Sequence, residues 1–491
     1  LKRRIVWKGR LRRTWLDWVM SSEFGVLDMS FVKVDDITSE EKYSCVGGPF
    51  GSSLSRKHYV EEEAVPVIRG INLNGDQFSD DGFVFVNEEK ADELYRNLAY
   101  PGDIVFTQRG TLGQVAIIPE NVRFERYVVS QSQMKLTVNK KIADSYYIYL
   151  YFRSAEAKRV IGNNAIIGGV PHINLGILKA IEIPLPSLSV QKRIVGIIKN
   201  LDDKIKGNRQ ANQTLEQIAQ AIFKSWFVYF EPTRAKITAK QNGQDPERAA
   251  MAAISGKTLE ELDQLSPEQQ QQLKTTASLF PDVLTDSELG EIPEGWKINP
   301  LSKMVELIGG GTPKKSENDY WGGEIPWFSV KDSPIEGDVF VIDTELKITD
   351  LGLRKSSTKL LPEGVTIISA RGTVGRLALV GIPTAMNQSC YGVKGSNGIG
   401  VYLNYFNLKE GVSILQQNSH GAVFDTITRN TFETVVIAES AIGLKYEFEK
   451  NVSGVFDKIK NNLFENKSLE GVRDALIPKL LAGDLKVDEV I

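Results

Sequence analysis

Two short runs carry the strongest chemical potential in this sequence: Arg109-Gly110-Thr111-Leu112-Gly113 and Arg371-Gly372-Thr373-Val374-Gly375. An arginine in a glycine bend either pairs with a nearby carboxylate or presents its planar donor fork to a phosphate or a base edge. The residues in the loops on either side lean the same way. Around the first run stand Ser52, Ser53, Arg56, Lys57, His58, Arg69 and Gln131. Around the second stand Thr312, Lys314, Lys315, Ser316, Lys331, Arg376, Asn387 and Gln388. Hydroxyls, amides and cations of this kind suit contacts to the phosphates and base edges of double-stranded DNA.

Patterns for catalysis are missing. Gly256-Lys257-Thr258 resembles the end of a phosphate-binding loop, but the first glycine of that motif would fall on Met251 and no strand precedes it. No Pro-Pro pair occurs, so the Asn/Asp-Pro-Pro-aromatic grip of an amino-methyltransferase is absent. Asp282, Glu345 and Lys347 are the nearest thing to a nuclease carboxylate set, and they span a domain start and a loop. His58, His172 and His420 are isolated, and Cys45 and Cys390 form no CxxC. A disulfide framework and a cysteine zinc site are therefore not expected, which suits a reducing cytoplasm. No run of about 18 apolar residues suggests a membrane span.

The elements that must position these loops are written twice. The two Arg-Gly-Thr-x-Gly bends follow Pro101-Gly102-Asp103 and Pro362-Glu363-Gly364, and are followed by Ser130-Gln131-Ser132 and Asn387-Gln388-Ser389. Upstream, Gly47-Gly48-Pro49-Phe50-Gly51 matches Gly309-Gly310-Gly311-Thr312-Pro313. Each half reads as short β-branched runs broken by Gly, Pro and Asn, with short helices such as Glu88 to Leu98. A length of 491 residues with 42% hydrophobic and 25% charged content fits two homologous α/β-type domains.

A heptad seam closes each half. The first is Ile194, Ile198, Leu201, Ile205, Asn208, Asn212, Leu215, Ala219, Ile222 and Trp226; the second is Phe448, Val452, Val455, Ile459, Asn462, Asn466, Leu469, Arg473, Leu476 and Leu480. Both have Asn at the same two steps, a pattern that fixes register and predicts that the two helices pair. Some 38 residues at about 1.5 Å each would make a rod of roughly 55 to 60 Å. Residues 231–290, with Gln269-Gln270-Gln271-Gln272 and few aromatics, predict a linker with short helical pieces. Residues 1–29 begin with a basic arm, Lys2 to Arg13.

Taken together these residues resemble the specificity subunit of type I restriction-modification enzymes. The most specific parts are Ile181-Glu182-Ile183-Pro184-Leu185-Pro186 leading into Gln191-Lys192-Arg193-Ile194, then Leu201-Asp202-Asp203-Lys204-Ile205, and Asp286-Ser287-Glu288-Leu289-Gly290-Glu291-Ile292-Pro293-Glu294-Gly295-Trp296. In the second copy Val435-Val436-Ile437-Ala438 stands where the family has a Pro-rich strand ending. The resemblance implies an α+β fold of two homologous mixed α/β target-recognition domains, 30–188 and 291–443, separated by two long antiparallel coiled-coil helices, 189–230 and 444–491. It implies a non-catalytic cytoplasmic subunit. Each domain would read half of a split, asymmetric DNA site. Two methyltransferase (M) subunits would dock on the helices, and restriction/translocase (R) subunits would join them. S-adenosylmethionine, ATP and Mg would belong to those partners. A coiled-coil adaptor with two protein-binding domains is the competing expectation. The net charge of −3, from 59 basic and 62 acidic residues, excludes a polycationic coat protein. It leaves room for a sequence-selective subunit whose partners share the phosphate grip.

Overall fold

The computed structural model describes residues 30–418 and 426–485, so the basic arm within 1–29 and His420 lie outside the described residues. The chain divides into two units. One holds the described residues up to Asp203 together with those from Leu469; the other is Lys204–Ser468. The division does not follow the expected domain ends, because each long helix contributes to both units.

In the first unit a four-stranded sheet runs in the order Cys45–Gly47, Gln133–Leu136, Ile104–Thr107, Val115–Ile117. A second sheet runs Val84–Val86, Val65–Ile68, Tyr127–Val129, Leu98–Ala99. Ile104–Thr107 and Val65–Ile68 are buried at every position, as runs of Val, Ile and Phe covered on both faces must be. Ser30–Lys33 pairs antiparallel with Glu182–Leu185 and closes the unit. The helix expected over Glu88 to Leu98 stops at Glu93. Its Asn87 cap starts it, and a short 3-10 turn at Tyr95–Asn97 then leads into the strand Leu98–Ala99.

The second unit repeats this layout. Val305–Gly309, Cys390–Gly395, Thr366–Ser369 and Leu377–Val380 follow the same order, extended by Phe340–Val341. Lys347–Ile348, Trp321–Phe328 and Ala385–Met386 make the second sheet. Val436–Glu439 pairs with Lys297–Pro300 as Glu182–Leu185 pairs with Ser30–Lys33, although its sequence lacks the prolines. Strand pairing needs β-branched residues and a free backbone, which Val-Ile-Ala supplies.

One helix in each copy links sheet to seam. Ser145–Arg153 is capped by Asp144, whose carboxylate accepts from the amides of Tyr146 and Tyr147. Its counterpart Val401–Asn418 follows Gly400, which has no capping side chain. Glu449 of the second long helix accepts from the amides of Tyr402 (3.3 Å) and Leu403 (2.7 Å) instead. A Cβ on Gly400 would lie 2.2 Å from that carboxyl group, so the side chain is absent where the cap enters.

The long helices are Leu188–Phe227, 40 residues, and Ile442–Ala482, 41 residues. Every seam residue is buried or half-buried. In the first unit Ile194 and Ile198 share a core with Ile477 and Leu480. In the second, Phe223 and Trp226 share one with Phe448 and Val452. Asn208 donates to Asn466 and Asn462 donates to Asn212, both at 2.8 Å. Numbers rise along one helix as they fall along its partner, so the pairing is antiparallel.

The segment expected to be a linker with short helical pieces is helical, and it also holds a small core that was not expected. Glu231–Gln241, Pro246–Ser255, Leu259–Asp263 and Pro267–Ala277 are helices, and the last three enclose Ala250, Met251, Leu262 and Ala277. Alanine and longer aliphatic side chains together make a core from a sequence poor in aromatics. A hairpin, Leu284–Ser287 with Gly290–Pro293, leads into the second copy.

Candidate nucleic-acid interface

The polar loops of each unit gather where the strands end, on a shared backbone frame. In the first unit the amide of Gln108 donates to Ser132 O (2.7 Å), that of Ile173 to Gln108 O (3.0 Å), and that of Ser130 to Ile68 O (3.0 Å). In the second, Ala370 donates to Ser389 O (2.8 Å), Ile427 to Ala370 O (2.9 Å) and Asn387 to Phe328 O (2.9 Å). Arg109 bridges His172 as Arg371 bridges Thr426. Gly48 and Gly310 let the frame close, since a Cβ on either would sit 1.9 Å from Ser130 O or Asn387 O respectively. Any side chain there would push the loops apart.

On this frame Ser52, Ser53, Arg56, Lys57, Arg109 and Gln131 are exposed in the first unit. Lys314, Lys315, Ser316, Lys331, Arg371, Arg376 and Gln388 are exposed in the second, with Thr312 half-buried. Gln131 donates from Nε2 to the carbonyls of Gly51 and Leu54 and so holds the serine loop. Gln388 holds the matching loop by accepting from the Thr312 hydroxyl. Gln131 and Gln388 therefore shape loops in addition to facing outward. Lys314 pairs with Glu317 at 2.8 Å, both well exposed, a contact of low energetic weight.

Three expected contact residues bond to nearby backbone. Arg69 is half-buried and donates from Nη2 to Gly82 O at 2.7 Å. The Nδ1 of His58 accepts from the amide of Ser55 at 3.1 Å, making the ring a turn cap. Asn387 accepts from the amide of Ser389 at 2.9 Å within its own bend. The last two are short-range satisfactions of backbone groups that a turn leaves open.

The sequence reading missed Phe50, which is 90% exposed on the loop that Gln131 holds, and Ile167, 84% exposed between the bridged residues Ile166 and His172. Their signal is an apolar residue directly followed by glycine in a loop. Phe50 occupies the position of Thr312, so the same frame displays an apolar side chain in one copy and a hydroxyl in the other.

The carboxylates suspected of nuclease chemistry do not assemble: Asp282 pairs with Lys240, and Lys347 pairs with Asp343 at 3.4 Å. Among the described residues no group of three His, Cys, Asp or Glu could hold a metal. Cys45 and Cys390 are buried and free, and burial pushes their thiols up to about 11 and about 12. No described helix is long and apolar enough to cross a membrane.

Comparison with known proteins agrees with this geometry. Residues 51–217 and 293–438 match the type I restriction modification DNA specificity domain. The chain is 32% identical over 402 residues to the HindI specificity subunit of Haemophilus influenzae, covering 78% of this chain and 86% of that protein. It is 24% identical over 411 residues to the MjaIX specificity subunit of Methanocaldococcus jannaschii, with 82% of each covered. The crystal structure of a type I S subunit from M. genitalium shares the fold at a TM-score of 0.50 and 14% identity, over 94% of this chain and 97% of that one. Two copies of one domain, each with its own exposed loop chemistry and its own seam helix, thus place this chain in the family of type I restriction-modification specificity subunits.

Proposed function

We propose that each recognition domain reads one half of a bipartite, asymmetric DNA site, while the paired helices set the spacer and dock two methyltransferase subunits. The observation that carries this reading is the duplicated loop frame: equivalent backbone hydrogen bonds hold the bends of Arg109 and Arg371, and Gln131 and Gln388 beside them hold the loops that carry Phe50, Ser52 and Ser53 in one copy and Thr312, Lys314 and Lys315 in the other. One frame with two sets of side chains is what reading two different half-sites requires.

Each domain alone contacts only a few base pairs, too little to distinguish a site from a genome of competitors. Joining two readers makes the second contact intramolecular and multiplies the discrimination. Helices of 40 and 41 residues extend for about 60 Å, ample to reach two successive DNA turns at about 34 Å each. Docking of two identical partners is supported by Ile218 and Val472. They occupy equivalent places one residue before the seam positions Ala219 and Arg473, and both are about half exposed, at 47% and 50%. The chain itself performs no catalysis. Adenine methylation and DNA cleavage are carried out by methyltransferase and restriction subunits, which bind S-adenosylmethionine, ATP and Mg.

Methylome sequencing with and without the gene tests this. Loss of one bipartite methylated motif in the deletion strain is expected, and an unchanged methylome refutes the reading.

A further inference from the structure

We infer that Asp202 is a positioning residue that fixes the angle of the first recognition domain on the helix pair, and thereby the spacer that the assembled complex accepts. The inference rests on the reading of two joined half-site readers given above.

Asp202 lies on the first long helix beside the seam. Its Oδ2 accepts from the Tyr146 hydroxyl (2.7 Å) and from Arg153 (2.9 Å), both on the recognition-domain helix Ser145–Arg153. Its Oδ1 accepts from Arg473 (2.9 Å) of the second long helix. One carboxylate therefore ties together the recognition domain, the first helix and the second helix. The cluster is well enclosed, with side-chain exposures of 7% for Arg153, 13% for Asp202 and 10% for Arg473. These bonds are directional, so they define an orientation as well as a contact.

The second copy attaches its domain with a different set of side chains. Aligning the seams puts Phe456 at the position of Asp202 and Ala219 at that of Arg473, while Tyr402 and Lys409 match Tyr146 and Arg153. There Tyr402 stacks on Phe456 with centroids 4.1 Å apart and planes 9° apart, and Glu216 of the first long helix accepts from the Tyr405 hydroxyl and from Lys409, both at 2.8 Å. There the two long helices hold the domain through separate side chains, Phe456 and Glu216, whereas in the first copy Asp202 alone meets both the domain and the other helix. A buried ionic cluster often adds little stability over an apolar contact of the same volume, and we assign to this one the specification of a single geometry. In the first copy that geometry is the angle between domain and helices.

The test compares D202N and R473M with the parent chain, each purified with its methyltransferase subunits, on duplexes carrying the bipartite motif with the parent spacer or one base pair more or less. The expected result is that the parent discriminates against the wrong spacers by about tenfold or more, and the variants by about threefold or less, with the half-site sequences unchanged. The double variant should match the worse single one, because both changes remove the same lock. R473M leaves Asp202 bound to Tyr146 and Arg153, so it reports even where D202N does not fold. An unaltered spacer profile overturns the inference, as does a loss of affinity equal for all spacers, which marks a merely structural role. A parent complex with no spacer preference refutes the two-reader reading itself.

Discussion

Single side chains divide into those that face outward and those that close the frame. Arg109 and Arg371 are exposed in matching bends. R109A is expected to weaken binding through the first half-site and R371A through the second, each by about 1–3 kcal/mol if the guanidinium reads a base. Competition assays with one half-site mutated at a time check this, and equal loss through both half-sites would assign the arginines to phosphate instead. Gly48→Ala, with its Cβ 1.9 Å from Ser130 O, is expected to lower the melting temperature, whereas Phe50→Ala should leave it unchanged and alter DNA selectivity. Asp202 also carries a pH signature. Burial raises its pKa, but the charge of Arg153 and the hydrogen bonds from Tyr146 and Arg473 outweigh that and hold it below the ordinary carboxylate value. A depressed folded-state pKa stabilises above the unfolded value near 3.9 and is lost as pH falls through the folded one. Thermal melts between pH 5 and pH 2 should show a shallower acid decline for D202N than for the parent.

Elements are positioned by contacts that cross long stretches of chain. The seam asparagines bond in pairs, Asn208 with Asn466 and Asn212 with Asn462. Asn208→Leu alone strands Asn466 without that partner and is expected to cost about 1–3 kcal/mol in urea melts, while N208L with N466L should regain most of it. A double variant as unstable as the single one would mean that the asparagine pair is not what the seam relies on. The heptad was legible because helical periodicity is a local property of sequence. The origin of the Glu449 cap was not. Glu449 and Leu403 are 46 residues apart, and nothing near Gly400 announces that a neighbouring helix supplies the carboxylate. Burial raises the pKa of Glu449 despite the amides it accepts from, so this cap is an enclosed one.

At the scale of the whole molecule, two readers and two seams were visible because a repeat can be found by comparing a sequence with itself. Adding one heptad to both long helices lengthens each by about 10 Å, and the preferred spacer is expected to grow by roughly three base pairs with the half-sites intact. Methylome sequencing of such a strain reads this directly, and an unshifted spacer would remove the ruler role of the helices. Replacing Ile218 and Val472 together by Asp should weaken assembly with the methyltransferase subunits while leaving the melting temperature unchanged, as read by co-purification. By itself the sequence determined the duplication, the polar character of the loops and the helical seams, all of which are patterns of residue type at fixed spacing. Only the tertiary structure decided that Arg69, His58 and Asn387 satisfy nearby backbone while Phe50 stands exposed, that residues 246–277 hold a small core, and that Asp202 meets Arg473. Those outcomes depend on which hydrogen-bonding and apolar groups become neighbours once the chain has folded, and spacing along the chain does not encode that.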